Sequence, residues 1–413
     1  MKKIIQSILK ILAQTILKKY KPDVIGVTGS VGKTTTKLAI KMILDGDFNV
    51  RASEGNYNTE IGVPLSIIGI QSAGKSAFGW FVILIKALGL IIKKNREYPD
   101  ILVLEMAADH PGDIKYLVEF CHPKIGIITA VGPTHLEFFD DVQGVLREKA
   151  NMVNFLESDQ AAILDFDDKE VMSLENKTKA RVITYGLKEG AQIRASNILV
   201  DKVNGGICFQ LEYDGAHVPV SSPDVLGKPQ VYAALAGSAL GIYYGMNLIK
   251  IAERIKKIKA LPGRLRLLPG IKGTRIIDDS YNSSPIALNA ALEILLHMNC
   301  TGEKWAVLGD MLELGNYTEQ AHMEMGETVA RTGIDYMVCV GERSHGALSA
   351  AKNYGMNPDR MFHFDNAAES AKFVQDRIQT GDLILVKGSR DMHCENIVRE
   401  IMAEPWKADE LLV

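Results

Sequence analysis

Val27-Thr28-Gly29-Ser30-Val31-Gly32-Lys33-Thr34-Thr35 decides the reading of this chain. The apolar run at 23–27 that leads into it has the length of a strand, and a helix is expected to open at Lys33. A glycine-rich turn between strand and helix points several backbone N–H groups inward, and the helix N-terminus adds positive potential, so the turn is a cradle for phosphate. In such a cradle Lys33 reaches the β- and γ-phosphates of a nucleoside triphosphate and the Thr34 hydroxyl holds Mg²⁺. The usual pattern has a further glycine where Val27 stands, so the loop is a variant. A chance glycine turn before a helix is the competing reading, and the strand–turn–helix context weighs against it.

Outward from the loop, short apolar runs alternate with amphipathic stretches, the pattern of an α/β fold. Residues 101–104 and 125–131 have strand length. Residues 181–185, 192–200, 207–213 and 217–220 alternate and suggest β-hairpins, and 231–244 suggests a helix. Residues 261–273, rich in Gly, Pro and basic side chains, suit a linker or hinge. A second series follows, with strands at 275–277, 305–308, 336–340 and 383–386 and helices at 286–296, 319–331, 367–378 and 396–402. The expected architecture is an N-terminal amphipathic helix (1–22), a central mostly parallel sheet domain of phosphate-loop type (23–262) with a small β insertion near 181–222, and a Rossmann-like doubly wound domain (263–413).

The 413 residues include 47 basic and 50 acidic side chains, a net charge of −3 that gives no general field for nucleic acid. An apolar share of 47% excludes a disordered or fibrous chain. Cys121, Cys208, Cys300, Cys339 and Cys394 are scattered, with no Cys-x-x-Cys pair, and read as reduced thiols of a cytoplasmic protein without structural zinc. Residues 1–20 carry Lys2, Lys3, Lys10, Lys18 and Lys19 and no acid, with Ile4, Ile5, Ile8, Leu9, Leu12 and Ile16 at helical spacing. The uninterrupted apolar core and cleavage site of a signal peptide are missing. Two readings stand: a helix packed on the first domain, or a basic amphipathic helix on an anionic membrane surface. The apolar run at 77–92 is interrupted by Lys86 and is shorter than the roughly 20 residues that span a bilayer, so a buried or interfacial helix is expected.

Phosphate and metal chemistry needs hard oxygen ligands near the loop. Glu105 ends the run 101–104 and is placed at the carboxyl edge of a parallel sheet, where ligands bind in open α/β folds. His135, a few residues after 125–131, belongs to the same edge. Taken alone, Glu105 also reads as a helix cap or surface charge, His135 as a structural histidine, and Lys149 as a solvated charge on a helix. Asp278-Asp279-Ser280-Tyr281-Asn282 follows a strand and also reads as an Asx-capped turn. Gly263-Arg264 and Lys387-Gly388-Ser389-Arg390 supply basic groups for anions, arginine through a bidentate fork.

In this order the segments resemble the Mur ligase family, over about residues 23–402. The stretches that carry the likeness are 27–37, Gly55-Asn56-Tyr57-Asn58-Thr59-Glu60-Ile61-Gly62-Val63-Pro64-Leu65, Glu105-Met106-Ala107-Ala108-Asp109-His110-Pro111-Gly112-Asp113-Ile114, Thr134-His135-Leu136-Glu137, 278–285, Leu308-Gly309-Asp310-Met311-Leu312-Glu313-Leu314-Gly315 and 386–390. Within the family they are most similar to the branch that adds D-alanyl-D-alanine to a UDP-linked muramyl-tripeptide. The resemblance implies an ATP-dependent ligase of peptidoglycan precursor synthesis. A carboxylate attacks the γ-phosphate to give an acyl phosphate and ADP, and an amine then displaces phosphate. Attack of one anion on another requires charge neutralisation, hence two Mg²⁺ ions and a lysine.

By the same resemblance, Thr28, Gly29, Ser30, Val31, Gly32, Lys33, Thr34 and Thr35 hold the nucleotide phosphates. Thr34 and Glu105 hold one Mg²⁺. Glu105, His135 and Lys149 hold the second, Lys149 after CO₂ has converted it to a carbamate. Lys33, Glu105, His135 and Lys149 form the implied catalytic set. Asn58, Thr59 and Glu60 fall where the family contacts the muramyl substrate, and Arg264, Asp279 and Asn282 where the last two domains close over the nucleotide. Lys387 and Arg390 fall where the carboxylate of the incoming dipeptide is anchored.

Two departures stand out. About 22 residues precede the first strand, where relatives of this type carry a separate domain that grips the UDP end. The family pattern Gly-x-His-Asn-x-x-Asn reads Gly227-Lys228-Pro229-Gln230-Val231-Tyr232-Ala233, so Ala233 replaces an asparagine associated with adenine, and Gln230 is the available substitute. Three functions follow. The first is a ligase acting on a UDP-linked or lipid-linked muramyl-peptide, with residues 1–20 and 77–92 meeting a membrane. The second is a tailing ligase of folylpolyglutamate type. The third is a non-catalytic nucleotide-binding scaffold, against which the retained Lys33, Thr34, Glu105, His135 and Lys149 argue.

Overall fold

Runs of Val, Ile, Leu and Ala buried on both faces pair as parallel strands covered by helices. The computed structural model, which describes residues 2–413 and side chains from Ile4 onward, shows this for β1 (Asp23–Thr28), β2 (Val50–Ala52), β3 (Ile101–Glu105), β4 (Ile125–Ile128) and β5 (Ala161–Asp165). The sheet continues through β6 (Arg181–Gly186), β7 (Ile193–Val200), β8 (Ile207–Tyr213) and β9 (Ala216–Ser222), in the order β2-β3-β1-β4-β5-β6-β7-β8-β9. β1 lies between β3 and β4 with Val27 level with Glu105 and Thr28 level with Ile128. One sheet edge therefore carries the end of the phosphate-loop strand, Glu105 and the segment that leads to His135.

Three expectations change here. The strand read at 125–131 stops at Ile128, because Thr129 turns its hydroxyl onto the loop after β1. β5 escaped the sequence reading. The β insertion expected near 181–222 is not separate: β6 pairs parallel with β5 and extends the main sheet, and only β7–β8 and β8–β9 are antiparallel hairpins. Asp214 and Gly215, both at positive φ, make the tight turn between β8 and β9.

Helices cover both faces. On one, the helices Lys33–Leu44 and Gly227–Tyr243 touch where Gly237 lets the backbones approach; a Cβ there would lie 2.7 Å from the Ile43 side chain. On the other, the helices Lys2–Tyr20, Gly62–Ile68, Asp113–Cys121 and Val142–Asn154 bury Leu9, Ala13, Ile16, Leu65, Leu117 and Val145 against Leu102 and Leu104. The first helix thus packs on the domain, the first of its two readings. Among the described residues no helix is long and apolar enough to cross a membrane.

The second sheet contains β10 (Arg266–Pro269), β11 (Arg275–Asp279), β12 (Lys304–Gly309), β13 (Tyr336–Val340), β14 (Met361–Phe364) and β15 (Leu383–Lys387), ordered β10-β11-β15-β12-β13-β14. All pairs are parallel except β10–β11. β10 occupies part of the segment read as a hinge: it is a four-residue edge strand, where Pro269 is tolerated. β14 and the helix His345–Asn353 were not foreseen either.

Ile16 has no exposed surface. Ile16→Ala is expected to lower the free energy of unfolding in urea by about 2–4 kcal/mol. A loss below about 0.5 kcal/mol, the scale of surface substitutions, would show that this helix is not part of the core.

Candidate functional site

The loop after β1 is shaped by what touches it. Gly29 has φ 150°, and a Cβ there would come within 1.9 Å of Thr129 Oγ1. The Thr129 hydroxyl donates to the Val31 carbonyl at 2.5 Å. Ser30 Oγ accepts the Gly132 N–H at 3.0 Å and the Thr134 hydroxyl at 3.1 Å. Gly32, at φ 82°, turns the chain into the helix Lys33–Leu44. Lys33 is half-buried and its ammonium donates to the Gly29 carbonyl at 2.7 Å; desolvation lowers its pKa, partly offset by Glu105. Thr28 is buried below the loop, and Thr35 lines the cavity described next.

Glu105 is the convergence point. Its Oε1 accepts from the Thr34 hydroxyl and from Asn58 Nδ2, each at 3.2 Å, and its Oε2 lies 3.0 Å from Lys37 Nζ. Burial alone would raise its pKa; Lys37 and Lys33 outweigh that and hold it below the ordinary glutamate range. Arg264, from the segment joining the two sheets, donates to Thr34 Oγ1 at 3.2 Å. Thr34 and Glu105 therefore offer two hard oxygens 3.2 Å apart, one of them charged, a donor pair that fits Mg²⁺.

His135 sits at φ 54°, with Nδ1 2.7 Å from Glu313 Oε2 and Nε2 3.9 Å from Asp109 Oδ1. The His135 contact holds the Glu313 carboxyl below its usual range. Lys149 is buried on the helix Val142–Asn154. Burial, then the nearby Lys33, push its amine down to about 7, while Glu148 and Asp109 act the other way. Both Glu148 oxygens accept backbone N–H groups, of Gly112 at 2.8 Å and Ile114 at 2.6 Å. Among the described residues no three His, Cys, Asp or Glu side chains form a metal cluster.

A cavity of about 740 Å³ opens between the two sheets, lined by the loop, Asn58, Glu105, His135, Arg264, Asp279, Asn282, Lys387 and Arg390. Thr59 and Glu60 are not in its wall. The Thr59 carbonyl starts the next helix, and Glu60 accepts from Gln6 Nε2 of the first helix at 2.6 Å. Lys149 is not among the residues that line the cavity. Lys387 is buried, its amine bound to Asp279 Oδ2 and, at 2.9 Å, to the Asn282 carbonyl. Burial raises the Asp279 carboxyl, with Lys387 opposing. The guanidiniums of Arg264 and Arg390 lie 4.2 Å and 5.6 Å from the Tyr281 ring. Tyr281 in turn donates its hydroxyl to Asn56 across the cavity.

Several of these residues were absent from the candidates. Lys37 stands one turn after Lys33, so it shares a helix face with it, and that spacing was the available signal. Glu313 stands in one of the recognised stretches, but nothing local joins it to His135. Asp165, Asp167 and Asp168 line the far wall with Tyr232, whose hydroxyl donates to Asp167 at 2.7 Å. Beside them are Ala233 and Gln230, whose buried Oε1 has no partner among the described residues.

The Mur ligase middle domain matches residues 27–78 and 86–241, and the Mur ligase, glutamate ligase domain, matches 263–390. The UDP-N-acetylmuramoyl-tripeptide--D-alanyl-D-alanine ligase of Bacillus subtilis is 30% identical over 397 residues, which cover 96% of this chain and 79% of the relative. The crystal structure of MurF from Acinetobacter baumannii superposes with a TM-score of 0.80 at 26% identity, covering 95% of this chain and 79% of that one. MurF ligase from Thermotoga maritima in complex with ADP gives 0.78 at 26% identity, covering 98% and 84%.

Burial raises Asp165 from 3.8 to about 7. The folded state then holds this proton more tightly than the unfolded chain, so its contribution to stability falls as pH rises through that window and is flat above it. Asp165→Asn is expected to raise the unfolding free energy by about 1–3 kcal/mol at pH about 8 and by little near pH 4. Equal effects at both pH values would show that Asp165 is ionised throughout.

Proposed function

This chain belongs to the Mur ligase family, and from that premise we propose that it is an ATP-dependent ligase of peptidoglycan precursor synthesis. It joins D-alanyl-D-alanine, or a similar dipeptide, to the carboxylate of a UDP-linked muramyl-tripeptide and releases ADP and phosphate. The observation that carries this reading is the buried Glu105, held below the ordinary glutamate range beside Thr34, with Lys33 from the helix after β1 and Arg264 from the segment joining the sheets adding positive charge at the same point.

The chemistry asks for that convergence. An acceptor carboxylate oxygen attacks the γ-phosphorus, the bond to the ADP oxygen breaks, and an acyl phosphate forms. The dipeptide amine then attacks the acyl carbon, phosphate leaves with its bonding pair, and the nitrogen loses a proton. Both reactants of the first step are anions, so positive charge must be in place beforehand. The loop amides of residues 28–35 and the Lys33 ammonium bind the phosphates, while Arg264, Asp279 and Asn282 close the site from the second domain. Mg²⁺ bound at Thr34 and Glu105 would supply Lewis-acid neutralisation of the phosphoryl oxygens. Arg390 faces the cavity and is suited to the dipeptide carboxylate, with Lys387 bracing Asp279 and Asn282 behind it. Movement about residues 261–273 would shut water away from the acyl phosphate.

A second Mg²⁺ is assigned to Glu105, His135 and a carbamate on Lys149, formed when the amine adds to CO₂ and releases a proton. The near-neutral buried amine, on a helix beside Lys33 and Asp109, supports this. ATP as substrate and five free thiols fit a cytoplasmic location. A lipid-linked acceptor is the second reading, favoured by the contact of Gln6 with Glu60, which ties the first helix to the segment that supplies Asn58.

Mass spectrometry of products formed from ATP, D-alanyl-D-alanine and UDP-linked or lipid-linked muramyl-tripeptide is expected to show the amide adduct, with phosphate release requiring both carboxylate and amine. Phosphate release without either would overturn the ligase reading. Lys149→Ala is expected to lower turnover roughly 100-fold or more while nucleotide Kd changes little. Turnover at the level of the unaltered protein would remove the carbamate.

A further inference from the structure

The helix Ala77–Ile92 presents an apolar face to solvent. Ile83, Ala87 and Leu90 are buried, while Phe78, Phe81, Val82, Ile85, Leu88 and Ile92 are exposed, Phe78 by 76% and Ile92 by 82%. Their spacing by three and four residues makes them one stripe. A soluble helix turns polar residues outward, and a contiguous apolar patch on a soluble surface marks something that covers it. The helix Lys2–Tyr20 packs beside it, with Ile4, Ile8 and Ile11 exposed in a stripe of its own. The two helices meet at their C-terminal ends, where Lys19 Nζ donates to the Leu90 and Ile91 carbonyls at 2.9 and 2.8 Å. Around that junction stand the exposed Lys18, Lys21, Lys93, Lys94 and Arg96.

Charge names the occupant. Residues 1–22 and 61–96 hold eleven of the 47 basic side chains and none of the 50 acidic ones, which leaves the rest of the chain at −14. A second copy of the chain is disfavoured, because two such basic surfaces would face each other. An anionic lipid surface satisfies both halves: the stripe enters the acyl boundary and the lysines and arginine meet the headgroups. The 16-residue helix is too short to span a bilayer and lies in its plane. We propose that the helices Lys2–Tyr20 and Ala77–Ile92 form a peripheral docking surface for an anionic bilayer. The Gln6–Glu60 contact then holds the cavity entrance near Asn58 beside the membrane. This surface is independent of the ligase reading and stands or falls separately.

The test is flotation of the full chain with vesicles of phosphatidylcholine alone or mixed with phosphatidylglycerol. Binding is expected only with the anionic vesicles, falling as salt is raised. The double variant Phe81→Glu/Ile85→Glu, altered only at exposed positions, is expected to partition at least about tenfold less, as is Lys93→Glu/Lys94→Glu. Both variants are expected to keep their unfolding midpoints and their phosphate release with a soluble acceptor. No flotation with anionic vesicles, equal flotation with neutral ones, or unchanged flotation of the Phe81/Ile85 variant would each overturn the proposal. A dimer in light scattering that this variant dissociates would overturn it in favour of self-association.

Discussion

A carboxylate buried at the edge of a parallel sheet is the constraint on which the rest of the site depends. Glu105 is only 2% exposed, and a charge in that position must be paired. Lys37 pairs with it directly, Lys33 and Arg264 add positive potential, and Thr34 and Asn58 hydrogen-bond the remaining oxygen. Those partners come from the first helix after the loop, from the stretch after β2 and from the segment joining the sheets. Satisfying one charge therefore fixes the relative position of four pieces of chain, and the same four surround the phosphate cradle.

The two sheets are coupled through polar contacts at the cavity as well as through apolar packing, Leu226 of the first domain joining the buried cluster of the second. Arg264 reaches Thr34, Glu313 reaches His135 and Tyr281 reaches Asn56, each joining a residue of one sheet domain to the other. Such contacts are directional and exchangeable with water, which suits a cavity that must admit two substrates and then exclude solvent. The apolar clusters, by contrast, sit on the two faces of each sheet and keep the strand ends rigid.

What the sequence revealed follows the range of the interactions involved. The phosphate loop, β1, β3 and the helix from Lys33 were legible because local period and glycine chemistry determine them. β10 and β14 were hidden because each has four residues and lies at a sheet edge, where alternation has no room to show. The extension of the main sheet through β6 was hidden for another reason: a parallel partner is chosen by tertiary neighbours, so Arg181–Gly186 reads the same whether it pairs with β5 or forms a hairpin. In the site, Lys33, Thr34 and Glu105 are placed by their own strands and helix. The Lys37–Glu105 and His135–Glu313 pairs join residues 68 and 178 positions apart along the chain, a separation that no local pattern encodes.

The basic residues of the last strand and its following turn show how position divides labour among similar side chains. Lys387 ends β15 inside the fold, so its ammonium must find buried acceptors, and Asp279 on the adjacent β11 and the Asn282 carbonyl are within reach. Lys387 opposes, without outweighing, the upward shift that burial gives the Asp279 carboxyl. Arg390 comes three residues later, after the sheet has ended, and its longer, permanently charged fork lies half in solvent at the cavity rim. The same logic separates Lys37 from Lys33 on the first helix. The lysine with a carboxylate within 3.0 Å neutralises a buried acid, while the one at the helix start donates only to loop carbonyls, an arrangement that a phosphate can replace. Burial with a partner makes a strut, and a cation lacking a carboxylate of its own is the one left for chemistry.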